Sequence, residues 1–351
     1  MKRKANYELL RILAMLMIIG LHYLDKGGIL PKLNTALSIS GALAWLLEAF
    51  FIMAVNVYVL LSGYFGSSGR FQLRKVAKLW GQVAFYSIGI AVLCFLLGVI
   101  PESQLSIYRL FGYLFPVVTN HYWFATAYVF LLFLMPFLNA GVERLSEREL
   151  RLGILGLLLF TCFAKTLIPM QLPTDQKGYD IIWFVIVYLV GAYLHKLGRE
   201  AYQRYGWLLF LGSGMLIFLM TMAMHWIWAR TGALEAFQNY AYSYNHLFCL
   251  TGSVGLFLWF GKLEIKSGKL GRWICKISGC TFGVYLIHEH MDLRYLWPQW
   301  FRTQNMAGRF LFVPHMIATI FVVFICCALL EYLRKRLFAF VGKKLSGNKT
   351  V

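Results

Sequence analysis

Tyr7-Glu8-Leu9-Leu10-Arg11-Ile12-Leu13-Ala14-Met15-Leu16-Met17-Ile18-Ile19-Gly20-Leu21-His22-Tyr23-Leu24 is an apolar run interrupted by three ionisable residues. A bilayer core about 30 Å thick is crossed by roughly 20 helical residues, so the stretch predicts a transmembrane helix. Its start, Lys2-Arg3-Lys4, resembles a signal peptide. Arg11 breaks the hydrophobic region and no small-x-small cleavage site follows, so an uncleaved first helix is expected. Eleven helical positions advance three turns plus about 20°. Arg11 and His22 therefore share one face, about 16 Å apart along the axis. Two ionisable groups on one membrane helix point to function. The plainer alternative pairs Arg11 with Glu8 at i,i+3 and leaves His22 as an interfacial residue.

Further apolar runs at about 43–65, 80–100, 122–139, 152–169, 179–195, 207–228, 244–261, 273–288 and 312–333 extend the pattern along the chain. With 60% hydrophobic and only 14% charged residues among 351, an ordinary soluble domain is excluded. The fold class is all-α: a polytopic transmembrane bundle of about ten helices, forming a single domain over residues 1–351 with a basic tail from 334. No linker or strong internal repeat divides it.

The net charge of +19 does not form one basic domain. Its cations flank the apolar runs, which speaks for topology and against nucleic acid. Counted over the connecting segments, 23 Lys and Arg fall on the side of the N-terminus and eight on the other. The positive-inside rule then puts both termini in the cytoplasm. Seven cysteines lie mostly inside apolar runs without CxxC spacing, as packing residues.

In that topology seven of the eight histidines lie toward the outer side, with Glu48, Asp180 and Glu289 at the same level. A histidine beside a carboxylate is general-base chemistry; His22 is the first candidate, His288 the second, and Glu48 the candidate carboxylate. Most of the others are expected to be interfacial bystanders. On the inner side, Ser62-Gly63-Tyr64-Phe65 leads into Arg70, Arg74, Lys75 and Lys78. Some of these, with Arg11, are candidates for gripping phosphates through forked donors, although topology alone explains most of the charges. His121-Tyr122-Trp123-Phe124 offers rings that stack on a sugar, or an interfacial aromatic belt. Lys165 is expected to snorkel to the headgroups.

These residues together resemble the membrane-bound acyltransferase-3 family, which includes bacterial O-acetyltransferases of surface polysaccharides. The carriers are Glu8-Leu9-Leu10-Arg11, then His22-Tyr23 in the family's Arg-x10-His spacing, and Val57-Tyr58-Val59-Leu60-Leu61-Ser62-Gly63-Tyr64-Phe65 with a trailing Arg70. Tyr122-Trp123-Phe124, Tyr244-Asn245 and Gly283-Val284-Tyr285-Leu286-Ile287-His288 add to them. The likeness covers nearly the whole chain. Val57-Tyr58 replaces the aromatic pair usual before the Ser-Gly, and no extracytoplasmic hydrolase-like domain follows the bundle.

The resemblance implies a bacterial cytoplasmic-membrane enzyme taking acetyl-CoA or another acyl-CoA inside and a glycan or glycolipid hydroxyl outside. No metal is expected. His22, Glu48 and His288 would form the catalytic group, with His22 either as general base toward the sugar hydroxyl or as the nucleophile that first accepts the acyl group. Arg11, Ser62, Arg70 and Arg74 would hold the donor, and His121, Tyr122, Trp123, Tyr244 and Asn245 the acceptor. Rival readings are a glycolipid transporter or flippase, and a sensor or scaffold of envelope synthesis.

Overall fold

The computed structural model describes residues 3–31, 37–69, 71–101, 104–167, 176–198, 200–233, 235–266 and 268–347, and every regular element among them is a helix. Helix α1 (Ala5–Leu24) is followed by α2 (Ile39–Phe51), α3 (Ala54–Gly66), α4 (Leu73–Leu96), α5 (Ile107–Leu114), α6 (Trp123–Arg144) and α7 (Glu147–Leu158). After them come α8 (Ala164–Leu167), α9 (Ile181–Leu197), α10 (Gly206–Thr231), α11 (Leu247–Gly261), α12 (Lys269–Ser278), α13 (Thr281–His288), α14 (Leu296–Trp300) and α15 (Phe312–Gly347). Among the described residues seven stretches are long and apolar enough to cross a membrane, and α9 and α11 are shorter apolar helices.

The observed helices depart from the apolar runs in three places. The run at 43–65 is α2 and α3, interrupted at Ile52-Met53. The run at 152–169 passes from α7 through a π-helical segment at Leu159–Phe163 into α8. The run at 273–288 breaks at Gly279-Cys280 into α12 and α13. Apolar content cannot report such breaks, because a π turn or a half-turn offset leaves hydropathy unchanged.

Helix α1 is the axis of the bundle. Leu10, Ala14, Ile19, Tyr23 and Leu24 are fully enclosed, whereas α4, α6 and α10 turn most of their surface outward, as lipid-facing helices do. Lipid tails are as apolar as leucine, so helix association in a membrane relies on close packing and on polar contacts between helices. Both hold α1. Tyr58 of α3 donates to the Arg11 carbonyl at 2.6 Å, and Tyr23 meets Nδ1 of His315 on α15 at 2.7 Å.

Cross-helix contacts also sort the chain ends. Arg3 bonds the Cys275 carbonyl, Asn6 that of Phe260, and Lys335 that of Gly279. Asn139 joins Gly66, and Lys196 the carbonyl of Val142. Among the described residues, Arg3, Lys196 and Lys335, which the charge count assigns to one side, are thus tied to backbone carbonyls of neighbouring helices, Arg3 and Lys335 at the Arg11 end.

The Ser62-Gly63 step is where α3 meets α9. A Cβ on Gly63 would lie 2.1 Å from the Tyr188 carbonyl oxygen, and one on Gly191 would lie 2.4 Å from that of Leu60. Backbone cannot yield there. Gly63→Ala is expected to cost about 1–3 kcal/mol through overpacking and to lower the thermal midpoint in detergent. Gly89→Ala on α4, where a Cβ meets nothing within 4 Å, should leave it unchanged; equal midpoints for the two variants would refute the assigned close packing.

Candidate active site

The site is built around the C-terminal turn of α1 and the end of α13. His288 closes α13 with its Nδ1 2.6 Å from the Val284 carbonyl one turn back. A carbonyl only accepts, so Nδ1 carries the proton and Nε2 is left as an acceptor. That Nε2 lies 3.1 Å from Nδ1 of His22, and Oε2 of Glu289 lies 3.1 Å from the same nitrogen. Facing two acceptors, His22 Nδ1 must be the protonated atom. In the neutral ring His22 Nε2 is then the free base, and it has no hydrogen-bond partner among the described residues. Two rings and one carboxylate thus fix a tautomer.

Glu289 is anchored in turn. Lys26, one turn beyond His22, bonds both of its carboxylate oxygens, and Arg294 stands 3.6 Å away. Among the described residues His22, His288 and Glu289 are the histidine, cysteine or acidic side chains close enough together to share a metal ion. With Lys26 on both oxygens, the carboxylate is charge-compensated, and the three side chains are also joined by hydrogen bonds.

At the other end, Arg11 and Glu8 do form the i,i+3 pair, at 2.6 Å. Pairing does not remove Arg11 from a site. Glu8 is shared with Arg3 at 3.1 Å and with the Ser278 hydroxyl, which donates to its other oxygen at 2.5 Å. Arg11 contributes one nitrogen to Glu8, lies 5.9 Å above the Phe65 ring, and keeps its remaining N–H groups for another partner.

A cavity of about 330 Å³ joins the two ends. Arg3, Arg11, Ser62 and Ser278 line it at one end, His22 at the other, and Met15, Ile18, Tyr58, Phe124 and Phe282 form an apolar wall between. Because α1 runs unbroken from Ala5 to Leu24, Arg11 and His22 both open onto this space, as their spacing predicts. Trp123 and Tyr244 also line it, their rings 5.6 Å apart and nearly parallel.

Several sequence candidates stand elsewhere. Glu48 does not meet His22: it is buried on α2, its Oε2 has no hydrogen-bond partner, and Glu289 occupies the place beside the imidazole. The two carboxylates lie at similar depth, and depth is all that topology supplies. Arg74 is exposed on α4 and does not line the cavity. Arg70 lies outside the described residues. Tyr122 sits behind the cavity wall, fully buried, donating to the Leu286 carbonyl at 2.9 Å. His121 stacks on it at 4.3 Å and accepts from the Met291 amide at 3.1 Å. Burial pushes His121 and its neighbour His290 down to about 4, so both are neutral at pH 7. Asn245 accepts from Lys165 at 2.7 Å; that lysine is buried rather than snorkelling, since Asn245 satisfies its ammonium inside the bundle.

In the sequence Glu289 is distinguished only by its depth, and Lys26, Arg294 and Arg3 read as topology charges. The i,i+4 spacing of His22 and Lys26, and the His288-Glu289 step at a helix end, were the available signals.

The family model described as "Acyltransferase domain" matches residues 4–332. The chain belongs to this acyltransferase family. No curated protein and no solved structure matches it. The acyltransferase therefore carries its Arg-x10-His motif on the central helix, with both residues on one cavity. That placement gives the motif a physical sense, since a single rigid helix fixes the distance between the two groups.

Proposed function

We propose that the protein transfers an acyl group, acetyl in the simplest case, from acyl-CoA to a hydroxyl of an extracytoplasmic or lipid-linked glycan. The supporting observation is the cavity that joins Arg11 to a His22 whose Nδ1 is held by Glu289 and His288. The Arg11 end faces the cytoplasm of a bacterial inner membrane, where the positive-inside rule puts the basic segments and both termini. Arg11 holds donor phosphate with the N–H groups that Glu8 leaves free. The pantetheine arm runs along the apolar wall and brings the thioester to His22. Trp123 and Tyr244 offer the acceptor sugar a stacking surface.

Nε2 of His22 takes the proton of the sugar hydroxyl as its oxygen attacks the thioester carbonyl. The tetrahedral intermediate collapses with cleavage of the C–S bond. The imidazolium returns its proton to the departing sulfur, releasing thiol and ester. Glu289, hydrogen-bonded to Nδ1, orients the ring and stabilises its transient charge. No step calls on a metal ion.

Labelled acetyl-CoA supplied to inside-out vesicles should place label on glycan. Movement of unmodified glycolipid without labelling would favour the flippase instead, and no effect of site variants on any glycan would favour the scaffold. Arg11→Lys keeps the charge but loses the fork, so KM for acetyl-CoA is expected to rise about tenfold. An unchanged KM would take Arg11 out of the donor site.

A further inference from the structure

A second concavity of about 700 Å³ opens at the Arg11 end, between the residues preceding α1 and the start of α12. Arg3, Lys4, Lys266 and Arg272 line it, against the single carboxylate of Glu264. Arg3 is also a wall of the active-site cavity, so the two spaces adjoin through one side chain. The Arg3 guanidinium is held there by Glu8 and by the Cys275 carbonyl.

We propose that this groove binds the phosphorylated nucleotide end of the acyl donor. The proposal rests on the acyl-CoA reading above. Distance supports it. With the thioester at His22, the arm reaches Arg11 after about 16 Å, and there the Arg3 guanidinium stands beside that of Arg11 on the same Glu8 oxygen, at the junction of the two spaces. A donor that continues past Arg11 enters the groove, whose four cations suit phosphate groups. The first turn of α12 adds to them. Its N-cap is Gly268, which has no side chain to occupy the first-turn amides, and Gly271 in that turn lines the groove. The first helical bond of α12 begins at the Arg272 amide. The three amides before it and the positive end of the helix complement an anion. Plain topology signalling explains cations at this end of the bundle, but not why four of them ring a space that adjoins the acyl-transfer cavity.

Phosphate can also come from lipid headgroups, and the test separates the sources. The full chain is placed in phosphatidylcholine nanodiscs and titrated calorimetrically with adenosine 3′,5′-bisphosphate. The K266Q/R272Q variant is expected to bind at least about tenfold more weakly, and K266R/R272K within about threefold of the parent. With acetyl-CoA the neutral variant should raise KM about tenfold, and with S-acetylpantetheine, which lacks the nucleotide, less than about twofold. No bisphosphate binding by the parent, or equal binding by K266Q/R272Q, overturns the proposal. So does a variant that loses only bound phosphatidylglycerol in anionic nanodiscs, which would make the groove a lipid anchor. If bisphosphate binding depends on Lys266 and Arg272 but no glycan is labelled, the groove stands and the acyl-transfer reading falls.

Discussion

His22→Ala is expected to lower acyl transfer by about 10²- to 10⁴-fold, the range that a positioned general base contributes, while the protein remains inserted and folded. The ring's contacts lie at one end of α1, with His288 and Glu289. The rest of the helix keeps its own anchors, Tyr58 to the Arg11 carbonyl and Tyr23 to His315. The measurement is turnover of labelled acetyl-CoA with glycan acceptor, next to binding of a non-hydrolysable donor analogue. Loss of turnover with retained donor binding is the expected pattern. Full turnover in the variant would remove His22 from the chemistry, and loss of both would point to a structural role.

The second large effect belongs to Glu289. Glu289→Gln replaces a charged acceptor with an amide that can present N–H to His22 Nδ1 and so favour the wrong tautomer. A hydrogen bond to a charged group is worth about 1.5–3 kcal/mol, which corresponds to a fall in kcat of roughly 10- to 100-fold. KM for donor and acceptor should change little, because Glu289 does not line the cavity. Glu289→Asp, which keeps the charge on a shorter stem, should recover part of the loss. Removing the carboxylate also strands Lys26, and an unpaired buried charge destabilises. The Lys26→Gln, Glu289→Gln double variant separates the effects: stability should return while kcat stays low. If kcat returns with stability, Glu289 acts only through folding. Glu48→Gln serves as the contrast, since that carboxylate does not touch His22, and turnover should stay near the parent value.

An all-helical, membrane-type chain was legible because apolar run length and flanking charge are one-dimensional properties, imposed by bilayer thickness and by the cost of unsatisfied backbone in lipid. The shared face of Arg11 and His22 was legible for a related reason: both lie on one helix, whose periodicity fixes their relation without reference to any other element. The break of the run at 273–288 into α12 and α13 was not legible, although it positions His288. It depends on how the Gly279-Cys280 step packs, and hydropathy does not register that.

The same limit explains the exchange of Glu48 for Glu289. Sequence and topology assign each residue a depth along the membrane normal, and at that depth the two carboxylates were equivalent. What separates them is rotation of α2 and α13 about their axes and their distance from α1, both set by side-chain interlocking among helices far apart in the chain. Arg74 failed as a cavity residue for this reason, and Arg3 emerged as one. By itself, then, the sequence determined an all-helical membrane-type chain and the Arg11–His22 stripe on its first helix, because length, charge and helical period act locally. Only the tertiary structure decided which carboxylate holds the imidazole, which nitrogen of His22 is free, and which cations surround the cavity mouth. Those are contacts between residues far apart in the chain, 267 positions for His22 and Glu289 and 272 for Arg3 and Cys275, and no local property of the chain encodes them.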